Sequence, residues 1–255
     1  MCDLDVICLQ EVSRGLALSD DGATPDQSAE LAALFPDWEP MFGPAVDATN
    51  KAGDRWQFGN MTLTRAPLLS TFCHPLPQPA EPGIRHMPRQ AIEITVGEPE
   101  RPLRIINTHL EFHSQRQRRA QLNRLRELQS DVAATIECPP AFDEVGPYQR
   151  IARPLECVLC GDFNMGTDFD EYSILTKSEA DRNPMFLDAW SIACDQQAHD
   201  PTCGIFDHNQ WPQGPHCRDF FFVTDALASD VRNIVVNTET DASDHQPLVL
   251  ELNEN

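Results

Sequence analysis

The feature that most constrains this chain is a repeated pairing of an apolar run of strand length with a polar tip. Leu4–Leu9 runs into Gln10-Glu11, Leu103–His109 closes on Asn107-Thr108-His109, and Leu155–Cys160 leads to Gly161-Asp162-Phe163-Asn164. Near the far end, a turn at 240–243 carries Asp244-His245 just before the apolar stretch Pro247–Leu252. Any one of these polar tips could be a turn or cap residue. Together they imply a sheet that aims acids, amides and histidines at one edge, as a fold does when it builds a site on rigid elements.

The remaining pattern fits an α/β fold. Gly59–Leu63, Gln90–Val96, Phe220–Val223 and Val231–Val236 have strand character, and Gln90–Val96 alternates Ile92, Ile94 and Val96 with Glu93 and Thr95. Ser28–Phe35 has helical spacing. Ser114–Ile136 places Leu122, Leu125, Leu128, Val132 and Ile136 at three- and four-residue steps, an amphipathic helix. Residues 67–88 are proline-rich and predict loop or edge. Loops are expected at 13–27, 43–57, 73–88 and 194–217, and with no repeat and no linker the chain reads as a single domain over 1–255.

Charge excludes one class of partner. Nineteen Lys and Arg face 40 Asp and Glu, a formal net charge of -21, so long nucleic acid is disfavoured. The densest basic group, Arg116, Arg118, Arg119, Arg124 and Arg126, lies on the predicted second helix and reads as a solvated face. Nine cysteines at irregular spacing predict reduced thiols, with Cys157 and Cys160 packed inside a strand. No apolar run is long enough for a transmembrane helix, and the first residues lack the basic stretch of a signal peptide, so a cytoplasmic location is expected. Oligomeric state is not legible. His199, Cys203, His208, His216 and Cys217 match no standard zinc spacing, and their segment is expected to be a substrate-facing loop with Trp211 at its rim.

Glu11, Asp162 and Asp244 are carboxylates suited to a hard divalent cation, and Asn164 adds an amide. If they converge, their mutual repulsion calls for a cation. His245 titrates near neutral pH and suits activation of water, with Asp219 the candidate to orient its second nitrogen. His109 is placed to contact a phosphate oxygen. Asn60 and Arg89 are candidates to line the substrate pocket, although turn and surface roles fit them equally.

At this point the motifs resemble those of the endonuclease/exonuclease/phosphatase superfamily, in order across nearly the whole chain. Asp5–Glu11 is similar to its Gln-Glu segment, Gly59-Asn60 to its Gly-Asn segment, and Asn107–Leu110 to its Asn-Thr-His-Leu motif. Arg118 and Gln121 match an Arg-x-x-Gln spacing. Gly161–Asn164 carries its most specific string, Asp219 stands where its Ile-Asp-Tyr acid stands, and Ser243–His245 resembles its terminal motif. The resemblance implies a four-layer α-β-β-α sandwich of the DNase I-like kind, Mg²⁺ or Mn²⁺ dependence, and attack by water on a phosphate ester. It implies Glu11, Asp162 and Asp244 as metal ligands, His245, Asp219, Asp162 and His109 as catalytic residues, and Asn164 and His109 at the phosphate.

Two departures from that pattern stand out. The family's first strand, with its metal-holding Asn, has no counterpart before Glu11, so the expectation is a domain truncated at its N-terminus. Arg218 and Phe220 flank Asp219 where an aliphatic residue and Tyr are usual. The resulting expectation is a phosphodiesterase or phosphatase acting on a small or lipid-derived substrate. The alternatives are a nuclease acting on DNA or RNA, and a non-catalytic member with an incomplete metal site.

Overall fold

The computed structural model describes residues 3–17, 25–177, 186–195 and 197–253, so part of the expected 13–27 loop lies outside the described residues. Its largest sheet has six strands. In chain order they are β4 (Leu68–Pro75), β5 (Gln90–Val96), β6 (Leu103–His109), β7 (Cys157–Asp162), β8 (Phe186–Asp188) and β9 (Asp219–Thr224). They lie side by side as β4-β5-β6-β7-β9-β8. A second sheet has the order β1-β3-β2, from β1 (Val6–Arg14), β2 (Glu39–Thr49) and β3 (Arg55–Thr64). Two late strands, β10 (Val231–Val236) and β11 (Leu248–Leu252), pair with each other.

Helix α2 (Gln115–Glu137) is the crossover that lets β7 run parallel to β6. Ser114 caps it, accepting from Gln117 N at 3.0 Å. Leu122, Leu125, Leu128 and Val132 are buried, the first three packing with Ala91, Ile106 and Leu159 on the outer face of the large sheet. Ile136, expected in the same stripe, is 46% exposed. The opposite face carries Ile92, Ile94, Ile105, Val158 and Cys160, packed against Val6, Cys8, Met41 and Leu250 from the smaller sheets. Beyond them α1 (Gln27–Leu34) adds Leu31 to a third cluster around Val12, Met61 and Leu63. Helix, sheet, sheet and helix make the expected four-layer α/β sandwich. No helix of the described residues is long and apolar enough to cross a membrane.

Several expectations change on contact with the structure. The segment at 43–57 is mostly sheet, because β2 and β3 pair over almost their whole lengths. The proline-rich segment keeps to its expectation of loop or edge: it holds β4, which takes the sheet edge, where Pro75 needs no ladder partner on its outer side. Glu93 and Thr95 do not face water. Both are fully buried, and Glu93 receives Arg153 at 2.7 and 2.9 Å and faces His74 at 3.1 Å. Burial alone would raise the Glu93 carboxyl, but His74 and Arg153 outweigh it and hold it down to about 2. Arg118 is also buried, with Nη2 2.9 Å from Glu171, so it does not belong to a solvated basic face. Cys157 and Cys160 are buried in β7, as expected.

Asn107 ties the two large layers together. Its Nδ2 donates to the carbonyls of Leu9 (3.1 Å) and Met61 (3.0 Å), and its Oδ1 accepts from Gln10 Nε2 at 2.7 Å. Removing it strands buried acceptors at the sheet interface. Asn107→Ala is therefore expected to lower stability by about 2–3 kcal/mol, read by thermal or urea unfolding; an unchanged melting curve would show that the clamp carries no energy.

Candidate active site

Strand register places three of the predicted residues in a row. In the parallel β6–β7 ladder His109 stands opposite Asp162, and in the antiparallel β7–β9 ladder Asp162 stands opposite Asp219. Gly161 makes this close fit possible. Its φ is +131°, and a Cβ there would sit 1.9 Å from the Thr108 carbonyl oxygen. Beyond the strand, Asn164 adopts a left-handed φ of 51°. Its N–H donates to Asp162 Oδ1 at 2.8 Å, its Nδ2 donates to the Leu110 carbonyl at 3.0 Å, and the same Nδ2 lies 3.1 Å from His109 Nε2.

Glu11 arrives from the other sheet. The β1–β3 register slips between Leu9 and Val12, and Glu11 sits in that bulge with φ 59°. A bulge re-aims one side chain out of the alternation, and backbone strain of this kind clusters at sites. Its Oε1 lies 3.8 Å from His109 Nε2. Asp244 and His245 come from the loop before β11. His245 Nδ1 lies 2.8 Å from Asp219 Oδ2. Glu11, Arg89, His109, Asp162, Asn164, Asp219, Asp244 and His245 all line one cavity of about 660 Å³.

Two of the expectations fit less well. Asn60 does not line the cavity; it is buried in β3 with its amide toward the Gln90 carbonyl at 3.4 Å. Trp211 is not an exposed rim residue but 2% exposed, its ring 5.7 Å from Phe112 and 6.2 Å from His245. The tightest metal-competent group among the described residues is Asp162, Asp219 and His245, whose ligand atoms lie within 4.8 Å of one another. It overlaps the expected ligand set only at Asp162. Asp219 and His245 are already engaged with each other at 2.8 Å, whereas Glu11 approaches His109 only to 3.8 Å and Asp244 accepts from the neighbouring Ser243 hydroxyl at 3.3 Å.

Sequence reasoning missed two supports. Thr202, fully buried, donates its hydroxyl to Asp219 Oδ2 at 2.6 Å, and its Oγ1 accepts from the N–H groups of Arg218 and Asp219. Its carbonyl accepts from Gln246 N at 2.7 Å, which draws the His245 loop onto β9. Glu111 is the other. Its Oε2 lies 3.4 Å from Arg89 Nε, and its Oε1 accepts from His113 N at 2.9 Å. No pattern marked Thr202, a lone hydroxyl in an irregular stretch. The Asn107–Leu110 motif ended one residue short of Glu111.

The electrostatics are those of a site short of positive charge. Burial, then the charge of Asp219, push the Asp162 carboxyl up to about 7 despite His245, the Asn164 N–H and Arg89. Glu11 is raised by burial and by Asp244. Burial lowers His245, but the hydrogen bond and charge of Asp219, with Asp162 and Asp244, outweigh it and push the imidazole up to about 9. His109 goes well below its ordinary value through burial and the nearby charges of Arg89 and His245, so its ring is neutral. These groups can bind an anion, hold a cation and move a proton within one cavity.

Comparison with known proteins bears on the family and the fold. The model of the endonuclease/exonuclease/phosphatase family matches residues 2–245. A family structure from Bacteroides vulgatus superposes with TM-score 0.68 at 18% identity, covering 99% of this chain and 86% of that one. A mannosyl-6-phosphatase of Bacteroides thetaiotaomicron VPI-5482 gives 0.65 at 16% identity, with 99% and 86% covered. A Neisseria 3′ phosphatase bound to a product DNA hairpin gives 0.56 at 18%, with 98% and 89% covered. No curated protein sequence matches. At these identities the structural likeness establishes the DNase I-like fold alone.

Proposed function

The chain belongs to the endonuclease/exonuclease/phosphatase family, and from that premise we propose that it is a Mg²⁺- or Mn²⁺-dependent phosphoesterase that hydrolyses a small or lipid-derived phosphate ester. Members of this family are hydrolytic enzymes that act on phosphate esters. The observation that carries the reading is the buried Asp162 carboxyl, pushed up to about 7 between His109 and Asp219, in the same cavity as Glu11 and Asp244. Such crowding fits a resident divalent cation, which would lower the cost of holding these acids ionised together.

In this reading Glu11, Asp244 and Asp162 hold the ion. When bound, the ion supplies charge neutralisation at the phosphoryl oxygens and the leaving oxygen. His245 takes the proton from the attacking water through Nε2, while Asp219 fixes Nδ1 and steadies the imidazolium that forms. Thr202 in turn fixes Asp219. Asn164, whose amide faces the Leu110 carbonyl and His109 Nε2, holds the neutral His109 ring beside the phosphate, and Arg89, held by Glu111, adds positive charge from the cavity wall.

Phosphatases for a sugar 6-phosphate and for a 3′ end are among the similar structures, which supports removal of a terminal phosphate. The net charge of -21 favours a small ester over long nucleic acid. Both are tested together. The protein with Mg²⁺ or Mn²⁺ is expected to release inorganic phosphate from sugar phosphates or soluble phospholipid headgroup esters. That release should disappear with EDTA and in Glu11→Ala. Nicking of plasmid DNA at low salt, with the small esters untouched, would replace this reading with a nuclease.

A further inference from the structure

Arg218 stands beside the site without lining its cavity, and the proposed chemistry leaves it unused. It stands just before Asp219, where the resemblance implies an aliphatic residue, yet it is tied into the cavity's supports. Its Nη1 donates to the Asn164 carbonyl at 2.8 Å. Its guanidinium lies over two rings, 5.3 Å from the centroid of Phe169 and 5.2 Å from that of Trp211. Its own backbone is fixed on both sides, the N–H on Thr202 Oγ1 at 2.9 Å and the carbonyl accepting from Phe163 N at 3.0 Å.

Asn164 needs such a hold. Its φ of 51° is in the left-handed region, which Asn adopts more readily than most residues with a side chain, but as a single residue held by its neighbours. The side chain spans from the Leu110 carbonyl to His109 Nε2, so a backbone change at 164 that leaves this φ would swing the amide off both. An aliphatic side chain at 218 could fill space but could not hold that carbonyl.

Resting on the phosphoesterase reading of this cavity, we infer that Arg218 is a positioning residue: clamped between Phe169 and Trp211, it fixes the Asn164 backbone and so keeps the Asn164 amide on His109, the ring proposed to contact the phosphate. The same guanidinium pins the Trp211 segment, whose ring also lies 4.8 Å from His216 and edges toward His245. Two loops that differ in sequence and direction are thereby tied to one strand end.

The test uses the full chain with its metal and three variants. In Arg218→Leu, kcat is expected to fall roughly 10- to 100-fold, the cost of a small misplacement of a catalytic group, with KM within about twofold. In Arg218→Lys, which keeps the charge and one donor, part of the loss is recovered. The side-chain amide of Asn164, assigned in a ¹⁵N spectrum by its absence from Asn164→Asp, should shift and exchange faster with water in Arg218→Leu. Wild-type kcat and an unmoved Asn164 amide would overturn the proposal, as would a loss confined to KM or to melting temperature. If wild-type protein hydrolyses no phosphate ester, the phosphoesterase reading falls, and the amide signal alone decides whether Arg218 holds Asn164.

Discussion

Asp162→Asn is expected to make the metal-free protein harder to unfold above pH 7 while removing at least about a thousandfold of hydrolytic rate. The stability effect follows from protons. Burial and Asp219 push the Asp162 carboxyl from 3.8 up to about 7 in the folded chain. Below pH 4 the group is protonated in both folded and unfolded chains and contributes no difference. Between pH 4 and 7 the unfolded chain gives up the proton and the folded chain keeps it, so wild type loses stability as pH rises. Above 7 the loss levels off, and an isosteric amide, which never ionises, escapes it. The expected gain is on the order of 2 kcal/mol, or several degrees in Tm, at pH 8 and near zero at pH 4. Added Mg²⁺ should reverse the order, since only wild type offers the ion that carboxylate. Thermal scans at both pH values, with and without Mg²⁺, check this. Equal melting of the two proteins at pH 8 would mean that Asp162 lies in a site with enough positive charge already.

His245→Ala is expected to lower kcat by roughly 10³- to 10⁴-fold with little change in KM, because a positioned base acts in the transition state. Asp219→Asn should cost less, about a hundredfold, and should leave a distinct trace on His245. Asp219 is the main group that lifts the imidazole to about 9, against the pull of burial. Without that charge the His245 ring, followed by NMR in the metal-free protein, should titrate at least about one unit lower. In the loaded enzyme the cation would lower it further, toward the range where a base works at neutral pH. An unshifted His245 in Asp219→Asn would break the link between the 2.8 Å contact and the proposed base.

The polar strand tips were legible in the sequence because buried strands leave few other reasons for Glu11, His109 and Asp162 to stand where they do. Long elements with strong periodicity, α2 and β5 to β7, were legible for the same reason. What escaped was set by partners far along the chain. β2 carries Pro40, Gly43 and Pro44, which break the strand pattern, and only its pairing with β3 makes it sheet. Glu93 alternates like a solvent-facing residue, but Arg153 and His74 neutralise it in the interior. Thr202 and Glu111 matter through the hydrogen bonds they make to Asp219 and Arg89, and no spacing rule marks them. Asn60 showed the opposite error, a motif residue whose amide serves the backbone of a strand in the other sheet.

The central claim is that acids from separate strands gather around one divalent ion beside His245. Anomalous X-ray scattering from crystals grown with Mn²⁺ tests it most directly. The account predicts a peak inside the cavity with carboxylate oxygens of Glu11 and of Asp162 or Asp244 at about 2.0–2.3 Å, ordinary distances for oxygen ligands of such an ion. A peak elsewhere on the molecule, or none at saturating Mn²⁺, would contradict it.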